Sequence, residues 1–364
     1  MPGPAAPTTR LPTSSCDLSR GRWVREARPA TYYTNETCAT IPESKNCFYH
    51  GRRDKGFLNW RWRPYGCEVP RFDPNMFLEM VRGKTMAFVG DSVARNHFDS
   101  LLCLLSQAEK PDDVYKDKED RFRRWRFPGH DFTLRMLWSK FLVYGEEKPA
   151  NNTFPGGNYL YFDRLDDKWA GELPGTDIVV ISSGHWFFRP INLYDGSNKI
   201  GCVYCNEPNV TSYGPEYAIR LAFRAALRHI NEECHGCEGM LTLLRTFSPA
   251  HFENGTWDTG GSCPRTKPRG DKGVRSKWTY EMGFRDRQVE EVRKVGEEGM
   301  GKGKRFGVVD VTEASVMRPD GHPNGFWGNK WMRGYNDCVH WCLPGPIDSW
   351  NEMLMEVLRR EIIA

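Results

Sequence analysis

The 364-residue sequence contains no run of 18 or more apolar residues, so it lacks a segment of the length and character that a membrane-spanning helix needs. Its start, Met1-Pro2-Gly3-Pro4, has neither the basic nor the apolar part of a signal peptide. The chain as given therefore does not insert itself into a bilayer. An excess of one charge is also missing: 51 Lys+Arg against 47 Asp+Glu leaves +4, too little to argue for nucleic acid as a partner. Histidine is scarce, and none stands at ligand spacing to complete a zinc site with the pairs Cys202/Cys205 and Cys234/Cys237. Disulfides, within or between the two pairs, are the expected state, and no metal is expected.

What the chain does have is aromatic rings and cysteine. A hydrophobic content of 39% can fill a core, which removes disorder as the default reading. The 13 Trp, 14 Tyr and 20 Phe are many for one domain; most aromatics in any protein are core, but exposed faces are one way to stack on sugar rings. Twelve cysteines, an even number, fit an oxidising compartment. Sequons at Asn35, Asn151, Asn209 and Asn254 agree with passage through the secretory pathway. A lumenal or extracellular setting is expected, with a leader or anchor upstream.

Residues 1–15 are Pro, Ala, Thr and Ser without periodicity and read as a flexible stalk. Residues 16–75 hold four cysteines, Trp23, Trp60 and Trp62, and many turn formers, which predicts a loop-rich lobe stapled by disulfides. From residue 76 onward strand and helix signals alternate. Short apolar runs at 85–89, 132–138, 177–182, 240–245 and 306–311 predict buried strands, and three- and four-residue apolar spacing predicts helices over 94–105, 215–230, 285–296 and 349–362. Strands separated by helices imply an α/β fold with a mostly parallel sheet covered on both faces, and ligands then bind at the carboxyl ends of the strands. The charged stretches 109–120, 267–277 and 296–304 read as solvated loops, and the basic run at 121–126 as a solvated strand edge.

Gly90-Asp91-Ser92 follows the first strand and opens a helix, where the Ser92 hydroxyl and amide meet the positive end of the helix dipole. Taken alone, Asp91 or Ser92 is better explained as an N-cap. Asp337 and His340, three residues apart and flanked by Cys338 and Cys342, can share a turn in which the carboxylate orients the imidazole toward Ser92. A serine needs a base and the base needs an orienting carboxylate, so the three together predict acyl chemistry.

This order of motifs is that of GDSL/SGNH-type esterases. The runs Trp60-Arg-Trp-Arg-Pro-Tyr-Gly-Cys67, Phe88-Val-Gly-Asp-Ser92-Val-Ala-Arg95-Asn96 and Asp337-Cys-Val-His340-Trp-Cys342-Leu-Pro-Gly resemble more closely the plant trichome birefringence-like polysaccharide O-acetyltransferases, over nearly all of residues 16–364. The segments around Gly184-His185-Trp186, Cys202 and His251 to Trp257 are similar to the branch associated with xyloglucan. The resemblance implies a three-layer α/β/α SGNH-like domain with Ser92 as acetyl carrier, His340 as base and then acid, and Asp337 as its partner. It implies disulfides Cys16–Cys67, Cys38–Cys103, Cys47–Cys342 and Cys263–Cys338, and a Golgi lumenal, single-pass type II protein. No bound cofactor is implied; acetyl-CoA or another activated acetyl is the donor and a wall polysaccharide the acceptor.

Around that triad, the amides of Ser92 and Gly184 are the expected oxyanion donors, with Arg95 and Asn96 as supports of the site or braces of the helix. His185, Trp186, His251 and Trp257 are candidate acceptor contacts, each equally explicable as a structural residue. Three alternatives share these features: an acetyltransferase for another wall glycan (xylan, mannan or pectin), an acetylesterase with the same triad and water as acceptor, and a polysaccharide binder without catalysis.

Overall fold

A computed structural model describes residues 16–27, 31–149, 156–299, 303–328 and 334–363. The expected stalk and the Asn151 sequon lie outside the described residues. The lobe opens with β1 (Gly21–Arg25), which pairs antiparallel with β2 (Trp60–Pro64); two single-turn helices and loops make up most of the rest. Helix α1 (Pro74–Met80), capped by the Asp73 carboxylate, leads into β3 (Thr85–Gly90) and α2 (Ser92–Leu105). A meander follows: β4 (Asp112–Lys116), β5 (Phe122–Phe127) and β6 (Phe132–Trp138). Next come β7 (Val143–Lys148), β8 (Gly157–Leu165), the single turn α3 (Asp167–Ala170) and β9 (Ile178–Ser182). Strands β10 (Ile191–Asp195), β11 (Asn198–Val203) and β12 (Ser212–Tyr213) precede α4 (Pro215–Glu232) and β13 (Leu241–Arg245). The chain ends through α5 (Val274–Lys277), α6 (Thr279–Glu298), β14 (Arg305–Val309), α7 (Thr312–Val316) and α8 (Asp348–Ile363).

The main sheet runs β14-β13-β9-β3-β6-β5-β4. Its first five strands are parallel, and β5 and β4 close one side antiparallel. Side chains of β3 alternate between two cores, as a period of two dictates. Met86 and Phe88 face Phe98 and Leu101 of α2 and Trp350 and Leu354 of α8. Ala87 and Val89 face Phe223 of α4, Phe284 of α6, and Leu160 and Leu193 of a second, five-stranded sheet ordered β12-β11-β10-β8-β7. Each fully buried side chain of this size stabilises the fold by about 1.5–3 kcal/mol.

The structure corrects four sequence expectations. Residues 109–120 are not simply a loop, since β4 lies within them; its five residues are all exposed, so no alternation marked it. The basic run 121–126 is not an edge, because β5 pairs with neighbours on both sides. Residues 267–277 include the turn of α5. The last strand ends at Val309, since Val311 already caps α7.

Six disulfides are present. Four are the pairings that the resemblance implied, and Cys202–Cys205 and Cys234–Cys237 each close locally.

Candidate active site

Strand β3 ends in a conformation open to glycine alone: Gly90 has φ of 147°, and a Cβ there would lie 1.6 Å from the Ser182 carbonyl oxygen of neighbouring β9. The close approach sets Asp91 and Ser92 at the strand end, between β9 and β6. Asp91 is the N-cap of α2; its Oδ1 accepts from the amides of Val93 (2.9 Å) and Ala94 (3.3 Å). Capping is thus done by Asp91, and Ser92 is left to face the other way.

Its Oγ lies 2.7 Å from His340 Nε2. On the far side of the ring, Nδ1 lies 2.9 Å from Asp337 Oδ2 and 3.1 Å from Oδ1. A carboxylate can only accept, so Nδ1 carries the proton and Nε2 is the bare nitrogen that accepts from Ser92. Asp337 Oδ1 also receives the backbone amides of His340 (2.9 Å) and Val339 (3.1 Å), which folds the turn around the carboxylate. Lys45 of the lobe completes its surroundings, with Nζ 3.4 Å from Oδ2. Burial pushes the Asp337 carboxyl upward, but the charges of His340 and Lys45 and the bonds from His340 hold it well below the ordinary carboxylate range. Ser92 and His340 remain partly open to solvent while Asp337 is buried.

The turn is pinned from three directions. Cys47–Cys342 ties it to the lobe and Cys263–Cys338 to the loop after β13. Asn96, one helical turn beyond Ser92, accepts from the Trp341 amide at 2.7 Å and donates to the Trp341 carbonyl at 3.2 Å. It therefore sets the spacing between helix and turn and contacts no open space. His322 Nδ1 donates to the His340 carbonyl at 2.6 Å.

The remaining expected residues separate. The Gly184 amide is not available as an oxyanion donor, because it already donates to Asp91 Oδ2 at 2.9 Å. With Val93 and Ala94 also engaged by Asp91, the Ser92 amide is the first-turn donor that remains of the expected pair. Arg95 bonds Asp99 on its own helix and the carbonyl and carboxylate of Asp120, so it fastens the β4–β5 hairpin tip to the helix that Ser92 opens. His251 is not an acceptor contact: it is 2% exposed, with its ring nitrogens 3.0 Å from the Val316 carbonyl and 2.6 Å from His322. His185 is half-buried with Nε2 donating to the Ser248 carbonyl, and burial pulls its pKa down to about 4 against the attraction of Asp91, so the ring is neutral. The Trp186 ring is occupied by cations, with Arg189 4.1 Å and Lys140 4.6 Å from its centroid, which removes it as a bare stacking face. Trp257 is 54% exposed and tilts against Tyr335, two residues before Asp337.

Sequence reasoning missed Lys45, Tyr335, His322 and the buried Arg245. The Arg245 guanidinium donates to Ser182 Oγ at the end of β9, and burial pulls its pKa down to about 10. Tyr335 had a signal, as an aromatic beside the Asp-x-x-His run; Lys45 had none, since its contact spans 292 positions.

Comparison with known proteins agrees with this architecture. Residues 69–357 match the GDSL/SGNH-like acyl-esterase family found in Pmr5 and Cas1p, and residues 14–68 match the PMR5 N-terminal domain. Xyloglucan O-acetyltransferase 4 of Populus trichocarpa is 59% identical over 95% of this chain and 81% of its own length. Xyloglucan O-acetyltransferase 2 of Arabidopsis thaliana is 56% identical over 95% and 83%, and protein trichome birefringence-like 19 of the same plant 44% identical over 95% and 82%. The two family models divide the chain into lobe and domain and together cover residues 14–357, and the chain belongs to the GDSL/SGNH-like acyl-esterase family found in Pmr5 and Cas1p.

Proposed function

We propose that the protein transfers an acetyl group through Ser92 to a hydroxyl of xyloglucan. The observation that carries the chemistry is the line from Ser92 Oγ through His340 to Asp337; the acceptor follows the names of the similar plant proteins.

His340 Nε2 takes the Ser92 proton as Oγ bonds to the acetyl carbonyl carbon of the donor, acetyl-CoA or another activated acetyl. The carbonyl electrons move onto oxygen, where the Ser92 amide at the head of α2 stabilises them. As they return, the bond to the donor's leaving group breaks and His340 hands it the proton. A sugar hydroxyl then loses its proton to His340 and attacks the acetyl-serine; collapse releases the acetylated sugar, and His340 returns the proton to Ser92. The Asp337 charge favours the imidazolium formed in each step. Trp257 and Tyr335 offer rings beside the turn on which the acceptor backbone stacks. The protein works in the Golgi lumen behind an N-terminal anchor, a setting in accord with its paired cysteines.

Incubation with acetyl donor and a xyloglucan oligosaccharide should give a sugar product heavier by one acetyl. With donor alone, acetyl should accumulate on Ser92 and be absent from Ser92→Ala. Free acetate with no sugar ester would assign an esterase instead, and normal transfer by Ser92→Ala would refute the mechanism.

A further inference from the structure

A cavity of about 530 Å³ lies between the β4–β5 hairpin tip and strand β7. It is joined to the site through the backbone: Gly90 is in register with Trp138, and the Ser139 amide donates to the Gly90 carbonyl at 2.8 Å, two residues before Ser92. Trp138 and Ser139 line the cavity from that side, and Tyr144 and Glu147 of β7 from the other. Arg95 holds the hairpin tip in place through Asp120, so one wall is fixed to the nucleophile helix itself.

Its volume falls within the roughly 300–1,000 Å³ usual for small-ligand sites. The lining is polar and charged, with Arg121 4.7 Å from the Trp138 ring centroid, Arg164 4.2 Å from that of Tyr144 and Lys140 3.7 Å from Glu147, so the rings are held by cations and the wall offers mainly hydrogen-bonding groups. Five carboxylates line it against three cations, which disfavours a polyphosphate such as the nucleotide end of a coenzyme. A ligand that is uncharged and both donates and accepts hydrogen bonds at many points fits this wall of carboxylates, cations, Ser139 and Asn158. We propose that this cavity holds neutral sugar units of the acceptor, next to the unit whose hydroxyl is acetylated, and so selects the glycan. The inference rests on the acetyl-transfer reading above, and it assigns the cavity to the acceptor half-reaction, not to the donor.

The test uses two variants on the β7 wall, Tyr144→Ala and Glu147→Gln, the latter at a side chain 74% exposed, so that the core does not depend on it. Binding of a xyloglucan oligosaccharide is measured by calorimetry on the Ser92→Ala protein, which cannot turn over, with and without each change. Weakening of Kd by tenfold or more, matched by a rise in KM for the oligosaccharide while acetyl-Ser92 forms from donor at an undiminished rate, is the expected result. Unchanged Kd and KM overturn the proposal. A slower acetyl-Ser92 burst with unchanged oligosaccharide affinity also overturns it and gives the cavity to the donor. If Ser92→Ala with the cavity intact binds no oligosaccharide, the acceptor reading itself fails, and this inference with it.

Discussion

Lys45 Nζ stands 3.4 Å from Asp337 Oδ2, the same carboxylate oxygen that His340 Nδ1 reaches at 2.9 Å. The lobe therefore places a cation on the carboxylate that contacts His340, and the Cys47–Cys342 disulfide two residues away holds it there. Lys45→Met leaves a buried carboxylate with one compensating charge fewer. A contact to a charged group is worth about 1.5–3 kcal/mol, so kcat should fall roughly 10- to 100-fold, and Lys45→Arg should restore part of it. Measuring kcat together with the melting temperature decides the point: an unchanged kcat would reduce Lys45 to a structural contact.

A second acidic cluster joins lobe and domain away from the reaction centre. Tyr33 and Ser100 donate to Asp348 Oδ1 at 2.8 and 2.6 Å, and Tyr32 donates to Glu352, one turn along α8. Burial outweighs those donors and pushes Asp348 up to about 6 and Glu352 up to about 7. Because the folded pKa values lie above the unfolded ones, the fold binds these protons more tightly than the unfolded chain. The stability they contribute is present below about pH 4 and is lost as pH rises through about 6 to 7. Burial acts oppositely on His185 and His322, both pulled down to about 4, so the useful readout is a difference. Relative to wild type, Glu352→Gln should gain on the order of 2 kcal/mol between pH 4 and 8 in denaturant unfolding. A difference that stays flat with pH would show that Glu352 titrates in the fold as it does in the unfolded chain.

The sequence made the sheet legible where burial was two-sided: 85–89 and 132–138 are apolar runs, and both are central strands. It failed where a strand carries no burial signal, as in β4, and where strands of the second sheet are short and mixed in character, as in β12. For the site, motif order brought Ser92, Asp337 and His340 together. Topology also placed Gly184 at the right strand end, but not its partner: Asp91 has two oxygens, one for the helix and one for Gly184, and a cap seen in sequence gives no hint of the second. His251 looked like a cleft residue because it follows a strand, yet Trp278, His322 and Trp341 surround it.

The Cys263–Cys338 bridge closes a 75-residue interval one residue from Asp337. Replacing both cysteines by serine removes a loop constraint worth about 4 kcal/mol on chain-entropy grounds. It also frees one side of the turn that carries His340. Activity should therefore fall at temperatures where the variant is still folded, by more than the unfolded fraction explains. Circular dichroism and kcat measured at the same temperatures test this, and a kcat that simply tracks the folded fraction would confine the bridge to stability.

Asp91→Asn isolates the double duty of that side chain. As helix caps, Asn and Asp are near equals, so a residue that only capped α2 would tolerate the exchange. Here one oxygen faces the amides of Val93 and Ala94 and the other the amide of Gly184. An asparagine can accept on one side only and must point an NH₂ group at an N–H on the other. Turned either way it strands a buried donor, at about 1–3 kcal/mol, and it removes a negative charge that faces the buried Arg245. The variant should melt several degrees lower and lose kcat as the Ser92 turn loosens, while Asp91→Asn with wild-type melting and kcat would show that the Gly184 contact carries no weight. Gly184 itself offers no substitute test, since a Cβ there would meet the Phe247 ring at 2.7 Å and confound packing with hydrogen bonding.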